Sequence, residues 1–573
     1  MKNSVVLFLV ILLLSFESGN AQQFGGFPPY FRWKQINSDT SRIIFQGAAA
    51  EQAERIATII HRMAADTSFQ LGSDIRKIDV LLHNRSTTAN AFVALGPFRS
   101  EFYLVPGSSI FDFGNVAWQE NLAIHEYRHV QQYSNFNNGL TKVFSFLLGE
   151  QGQDFANALT IPNWFFEGDA VFAETVFSPQ GRGRLPYFLS GYKSLFAEGK
   201  NYSWMKLRNG SFKDYIPNHY QLGYILADYG YANYGADFWK QVTRDASGFK
   251  GLIYPFQKAV KKYAGIDFKA FRTAALNAEN KKVQQERDVS TSKSKVVTNY
   301  FYPQFISTDS LIYLKSAFNK IPAFYILSGG KETKIALQNI SQEEWFSYRS
   351  GMIAYTAFST HPRWSLLNYS DIILLDIHSG KERKLTSKGR YYTPDLSPSL
   401  EKIVAVKMND SLQSELRLID ITDGSTRALF PPNETDFFIQ PRFVEENKIV
   451  VSVRNQQSQI ALKLLDISTG KWEEIIPYSH HTTGLPFVSG SSIYFVSNLN
   501  GNDDVFSYDI KTKIISQLTA DQTGNYYPAV SGDAIVWSHF TTSGLQLKRE
   551  SLNGLQRREL AGSAWSRQPS VHV

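Results

Sequence analysis

The chain has 573 residues, of which 43% are hydrophobic, 14% aromatic and 19% charged; it has no cysteine, and 59 Lys and Arg stand against 52 Asp and Glu. That length sets an expectation of two or more domains, each with its own core, and the apolar fraction excludes a disordered chain. The missing cysteine excludes disulfide scaffolds and Cys-ligated zinc or iron–sulfur sites, and a net charge of +7 with no dense basic block gives no footing to nucleic-acid binding.

The N-terminus reads as a signal peptide over residues 1–21. Lys2 supplies the positive start and residues 5–16 an apolar stretch too short to span a bilayer. Gly19 and Ala21 are the small residues ahead of a cut before Gln22, with an uncleaved anchor as the alternative. No cysteine follows that stretch, which excludes a lipoprotein anchor, and no other long apolar run occurs. The expectation is export to the periplasm or the exterior without stable membrane insertion.

Residues 48–64 place Ala53, Ile56, Ile59, Ile60 and Met63 at three- and four-residue steps and predict an amphipathic helix. Residues 78–82 and 101–105 predict strands. Residues 118–133, 164–175, 220–234, 236–244 and 256–286 predict helices, and 139–160 an inserted helix and loop. Residues 287–295 (RDVSTSKSK) are short and polar and read as a linker. The expected domains are therefore 22–290 and 291–573.

Beyond the linker the chain repeats. Six segments open on an aromatic or proline cluster, at Pro303, Trp345, Pro394, Pro441, Pro486 and Pro528, and the last four prolines are 47, 45 and 42 residues apart. Within a repeat the third β-rich run tends to end on an Asp and a turn, as in LRLIDITDGSTRAL and LKLLDISTGKWEEI. Repeats of short strands that cannot bury their own faces predict propeller blades, six in number, or seven if an N-terminal strand closes the ring. The segments PDLSPSLEKIVAV and IYFVSNLNGNDDVFSYDIKTKIISQLT resemble the TolB-type propeller repeat. The turn at 500–504 reads as a propeller hairpin and not as a calcium loop, because it lacks the further carboxylates at the required spacing.

The sharpest chemical signal is His125-Glu126-Tyr127-Arg128-His129. On a helix, His125 and His129 lie one turn apart on one face and can reach one metal ion, while Glu126 lies beside them as a proton acceptor. Tyr127 and Arg128 occupy the variable positions and carry no inference. A catalytic zinc site usually has three protein ligands and an open position. Glu167, within the segment 162–174 (PNWFFEGDAVFAE), follows His129 by 38 residues.

Here the sequence resembles the gluzincin metallopeptidases, the clan of thermolysin and the zinc aminopeptidases, through H-E-x-x-H, the W-x-x-E-G patch and Tyr220-Gln221-Leu222-Gly223. The resemblance implies a multidomain chain with an α+β zincin-like metallopeptidase domain followed by an all-β six-bladed propeller. It implies one Zn²⁺ on His125, His129 and Glu167, Glu126 as general base, and Tyr220 supporting the oxyanion. The gap between His129 and Glu167 is longer than is usual for the clan. Glu174, two turns beyond Glu167, is a candidate to orient a ligand histidine. His219 reads as a loop histidine.

Residues 90–105 lack the G-A-M-E-N segment that binds a free amine in the aminopeptidases, so an endopeptidase is favoured, acting on a peptide or protein substrate. The strand at 101–105 is a candidate for pairing with an extended peptide. The propeller is expected to bind a protein partner or to limit access through its central channel. The other class of function compatible with the sequence is a non-enzymatic envelope binding protein whose zinc site is structural or silent.

Overall fold

Strands β1 (Trp33–Asn37), β2 (Ser41–Gln46), β3 (Ile78–His83), β4 (Asn90–Ala94) and β5 (Arg99–Tyr103) form one sheet in the order β1-β2-β3-β5-β4. The computed structural model in which they are seen describes residues 25–107, 109–283, 296–429 and 436–566. The expected signal peptide and linker lie outside the described residues. β2-β3 and β3-β5 are parallel, whereas β1-β2 and β4-β5 are antiparallel. Alternation buries Ile78, Val80 and Leu82 on one face of β3, against helix α1 (Ala50–Ala65), whose Ile56, Ile60 and Met63 are buried at helical spacing.

The following helices are α2 (Ile110–Phe113), α3 (Trp118–Asn135), α4 (Gly139–Thr160), α5 (Asn163–Phe177), α6 (Pro186–Ala197), α7 (Trp204–Asn209), α8 (His219–Tyr234), α9 (Phe238–Ser247), α10 (Pro255–Ala264) and α11 (Phe268–Asn280). One face of α3, with Leu122, Tyr127 and Val130, joins the core made by α1 and the sheet. A second core gathers Trp164, Phe165, Trp239, Phe256 and Phe271 from α5, α9, α10 and α11.

Three expectations change. The single helix over 256–286 is two, α10 and α11, separated by a turn at Gly265 and restarted by Asp267, whose carboxylate accepts from Ala270 N at 2.8 Å. His219 is the first residue of α8 and not part of a loop. The strand near 101–105 runs over 99–103 and is paired on both sides, with β3 and with β4. It has no free edge to offer a peptide; the edge strands of the sheet are β1 and β4.

Six four-stranded or nearly four-stranded sheets follow, one per repeat: β6 to β9 (298–337), β10 to β13 (346–384), β14 to β17 (391–428), β18 to β21 (437–479), β22 to β25 (483–517) and β26 to β28 (525–551). This is a six-bladed propeller. The ring closes without strand exchange. β29 (Arg558–Leu560) joins the fifth sheet, and the sixth meets the first through contacts such as Leu545 N to Asn299 Oδ1 at 2.9 Å.

The recurring prolines have a structural cause. In five innermost strands the residue before the proline (Tyr302, Thr393, Gln440, Leu485 or Tyr527) has positive φ, and the ladder register shifts across that pair. Each is a bulge, a place where proline's missing N–H costs no ladder bond. The second blade opens at Trp345 without a proline, and its inner strand pairs in unbroken register. The recurring aspartates, Asp376, Asp420, Asp466 and Asp509, accept from backbone N–H groups two residues on, which fixes the hairpin turn.

The 500–504 segment is a hairpin turn whose acids are already partnered. Asp503 accepts from Tyr526 Oη at 2.6 Å and Asp504 from Thr519 Oγ1 at 2.9 Å. Among the described residues no helix is long and apolar enough to cross a membrane.

The N-terminal region sits on the propeller face where the inner strands begin. α2 presses Ile110 and Phe111 into the propeller centre, beside Leu485 and Tyr526. Gln180 Nε2 donates to His480 O at 2.7 Å. Below α2 Tyr302, Trp345 and Tyr527 pack across the channel, with ring centroids 4.1 Å apart for Tyr302–Tyr527 and 5.2 Å for Tyr302–Trp345, and beyond them the inner strands line a cavity of about 310 Å³. These rings close the channel at the end that faces the N-terminal region.

Candidate metal centre

Helices α3, α5 and α8 bring together residues that are far apart in sequence, and glycines set how closely they approach. A Cβ on Gly168 would lie 2.0 Å from the carbonyl carbon of Gly223, and one on Gly223 would lie 1.8 Å from Trp164 O. Only a Gly-on-Gly crossing permits this contact between α5 and α8. The glycines of W-x-x-E-G and Y-x-x-G are thus the contact itself, and the residues beside them, Glu167 and Tyr220, are carried to the same cleft.

In that cleft His125 Nε2 and His129 Nε2 are 3.3 Å apart, and Glu167 Oε2 is 3.3 Å from the first and 3.5 Å from the second. The three ligand-type atoms lie within 4.8 Å of one another. Each imidazole is held from behind. His125 Nδ1 meets Glu174 Oε1 at 2.6 Å, and His129 Nδ1 meets Gln132 Oε1 at 2.8 Å. A neutral ring donating from Nδ1 presents its Nε2 lone pair forward. Two lone pairs and a carboxylate oxygen then converge, and Glu167 Oε2, though buried, makes no hydrogen bond.

An arrangement of three electron-rich atoms in a buried site calls for a cation. In the metal-free chain, protons serve. Burial resists charging His125, but the carboxylates of Glu167 and Glu174 beside it carry its pKa up to about 9. His129 is shifted the same way: burial opposes, and the charge of Glu167 prevails. Burial would raise Glu167, but the two histidines hold it well below the usual carboxylate range. The donor set, two imidazoles and a carboxylate, fits a zinc ion.

Glu126 is buried next to the pair, with one carboxylate oxygen lacking a hydrogen bond, and burial pushes its pKa up. Tyr220 stacks on His125 with ring centroids 6.3 Å apart, and burial together with the charge of Glu167 keeps its phenol protonated.

Four residues not singled out in the sequence complete the site. Arg182 donates from Nε to Glu174 Oε2 at 3.0 Å, pairs with the same carboxylate through Nη2, and lies 5.2 Å from the Tyr220 ring centre. Burial opposes ionising Glu174, yet Arg182 brings its pKa down to about 2. Arg128, assigned nothing above, is fully buried and forked onto Asp169 at 2.7 and 3.0 Å, and it donates to Tyr231 Oη at 2.9 Å. Asp169 Oδ2 also accepts from Gln132 Nε2 at 2.9 Å, which fixes the amide that holds His129.

A charged residue directly before His129 and an acid two places after Glu167 were the available signals for Arg128 and Asp169. Gln132 offered only its three-residue step from His129. Arg182 offered none.

The cleft has a volume of about 540 Å³ and is lined by β4, by the second half of α4, by the metal-ligand candidates, and by Arg208 and Tyr220. Among the described residues the propeller contributes none of its lining. Phe92 and Val93 place the open edge of the sheet along it.

What the fold defines is a helical N-terminal region followed by a six-bladed β-propeller. No family model matches the chain, and no curated protein matches it. Among solved structures it is similar to TolB from Acinetobacter baumannii, at 15% identity over 46% of this chain and 68% of that one, with a TM-score of 0.31. It is also similar to a Mycobacterium tuberculosis puromycin-hydrolyzing peptidase, at 10% identity over 48% of this chain and 54% of that one, with a TM-score of 0.34. The tricorn protease matches at 15% identity over 44% of this chain and 26% of that one, with a TM-score of 0.33.

Proposed function

We propose that the protein is an exported zinc-dependent metallopeptidase of the zincin type, with His125, His129 and Glu167 as ligands and a propeller that binds a protein partner. The observation that carries this reading is the convergence of two back-oriented imidazoles on the unpartnered oxygen of Glu167. A zinc ion bound there supplies Lewis acidity toward water and toward a peptide carbonyl.

The chain's own residues do the rest. The open edge of β4 pairs with the backbone of an extended peptide and lays it along the cleft. Glu126, dry and raised in pKa, takes the proton of the attacking water and returns it to the leaving amine nitrogen. Tyr220, kept protonated, donates to the oxyanion that forms as the carbonyl carbon becomes tetrahedral. Glu174 and Gln132 hold the histidine tautomers, with Arg182 and Asp169 holding them in turn. The cleft runs along an open strand edge, which favours internal cleavage over trimming of ends.

The test is metal content and peptide-library hydrolysis of the purified chain beside His129→Ala and Glu126→Gln. The expected result is about one zinc per chain, lost in His129→Ala. Glu126→Gln retains the zinc and loses on the order of 100-fold or more in rate. No zinc in the wild type, or undiminished cleavage by Glu126→Gln, refutes the assignment.

A further inference from the structure

Helix α4 is two helices folded back on each other. In one continuous helix, residues eight apart are separated by about 12 Å along the axis. Here a Cβ on Gly152 would lie 2.2 Å from Phe144 O. The reversal is made at Gly149, with φ 66° and ψ −153°, and the Phe144 and Phe155 rings face each other across the hairpin at 6.1 Å. At its tip Phe146, Leu147 and Leu148 are 87%, 69% and 63% exposed. Val143 on the first arm and Phe155 and Leu159 on the second are exposed as well.

A second apolar feature stands beside the hairpin. The loop 249–254 carries exposed Leu252, Ile253 and Tyr254, and its Phe249 ring is 6.1 Å from that of Phe144. Phe249, Leu252 and Tyr254 all have φ near +50° to +57°. Non-glycine residues rarely adopt this conformation, and here it holds apolar side chains out in solvent.

The charge around this surface is net positive. Lys142 lies on the hairpin, and residues 246–264 contain Lys250, Lys258, Lys261 and Lys262 and no acid. Lys258 Nζ donates to Gly251 O at 2.8 Å, which ties it to the loop. Three acids lie nearby, and one of them offsets part of this charge. Asp245 pairs with Lys250 and Lys262, Glu150 pairs with Arg76 at 2.7 Å, and Asp154 faces the cleft.

We propose that this face docks onto an anionic phospholipid bilayer, with the hairpin tip and the Leu252–Tyr254 loop entering the interface and the lysines meeting the headgroups. A second copy of the chain is a poorer occupant, because a twofold contact would set lysine against lysine. The other side of the second arm, with Asp154 and Asn157, lines the cleft, so docking places the cleft at the membrane surface. The proposal stands whether or not the cleft holds zinc.

The test is flotation of the chain beginning at Gln22, because residues 5–16 would themselves partition into lipid. The vesicles are phosphatidylethanolamine with phosphatidylglycerol, or phosphatidylcholine alone. Wild type should float with the anionic vesicles. Phe146→Ser, Leu147→Ser and Leu148→Ser together should lower partitioning on the order of 100-fold with circular dichroism unchanged. Leu252→Ser with Ile253→Ser should lower it independently, and Lys142, Lys250, Lys258 and Lys261→Gln should remove the preference for anionic lipid. Wild type that stays with the soluble fraction, or tip and loop variants that float as it does, overturns the proposal. So does an oligomer that the triple variant dissociates, since the face would then be a contact between copies.

Discussion

Gly223→Ala tests the packing that builds the site. Its Cβ would lie 1.8 Å from Trp164 O and 2.9 Å from Gly168 Cα, with backbone on both sides and no flexible side chain to give way. Ordinary carbon–oxygen contact needs roughly 3.4 Å, so α5 and α8 must separate by on the order of 1.5 Å. Overpacking of this kind costs about 1–3 kcal/mol, and alanine's better helix propensity returns at most about 1. For a region of this size a net loss of ~1–2 kcal/mol lowers the midpoint by about 2–8 °C.

Far-UV circular dichroism reads this transition, because every α-helix among the described residues precedes the propeller. The same shift carries Glu167 away from the histidines, so zinc content should fall on the order of tenfold in buffered zinc. A Gly223→Ala chain with wild-type melting and wild-type zinc content would refute the claim that these glycines set the site geometry.

Asp169→Ala leaves Arg128 charged, buried and unpaired, and should destabilise the helical region by about 3–5 kcal/mol; Arg128→Met in the same chain should recover much of that in chemical unfolding. The propeller should lose stability as pH rises. Burial pushes the Glu343 carboxyl up to about 8 against an ordinary 4.5, so its contribution is complete below pH 4.5 and lost as pH climbs through 8. Glu343→Gln, which still accepts from Thr356 and Thr393, should flatten that decline in propeller melting between pH 5 and about 9.

Much of this protein was legible as period and spacing. Alternation and recurrence announced the propeller because five of the six blades carry the same bulge and four the same Asx turn, and those local demands select proline and aspartate at fixed places. His125 and His129 were readable because a helix puts residues four apart on one face. Glu174 stood two turns from Glu167 for the same reason.

Contacts between elements distant in sequence were another matter. The blade count settled only when β29 joined the fifth sheet and the first and sixth closed without sharing a strand. The sheet edge beside the cleft is β4 and not 99–103, a matter of strand order that no single strand's pattern carries. Arg128 stood in a variable motif position, and its role exists only because Asp169 and Tyr231 arrive from other helices. Arg182 reaches Glu174 from a three-residue 3-10 turn with no pattern of its own. Local sequence determined which elements form and which face of each is apolar, since those follow from backbone period and side-chain chemistry. Tertiary structure decided the Gly168–Gly223 contact, the network behind the histidines and the fold-back at Gly149, because each depends on how closely two separately formed helices can approach.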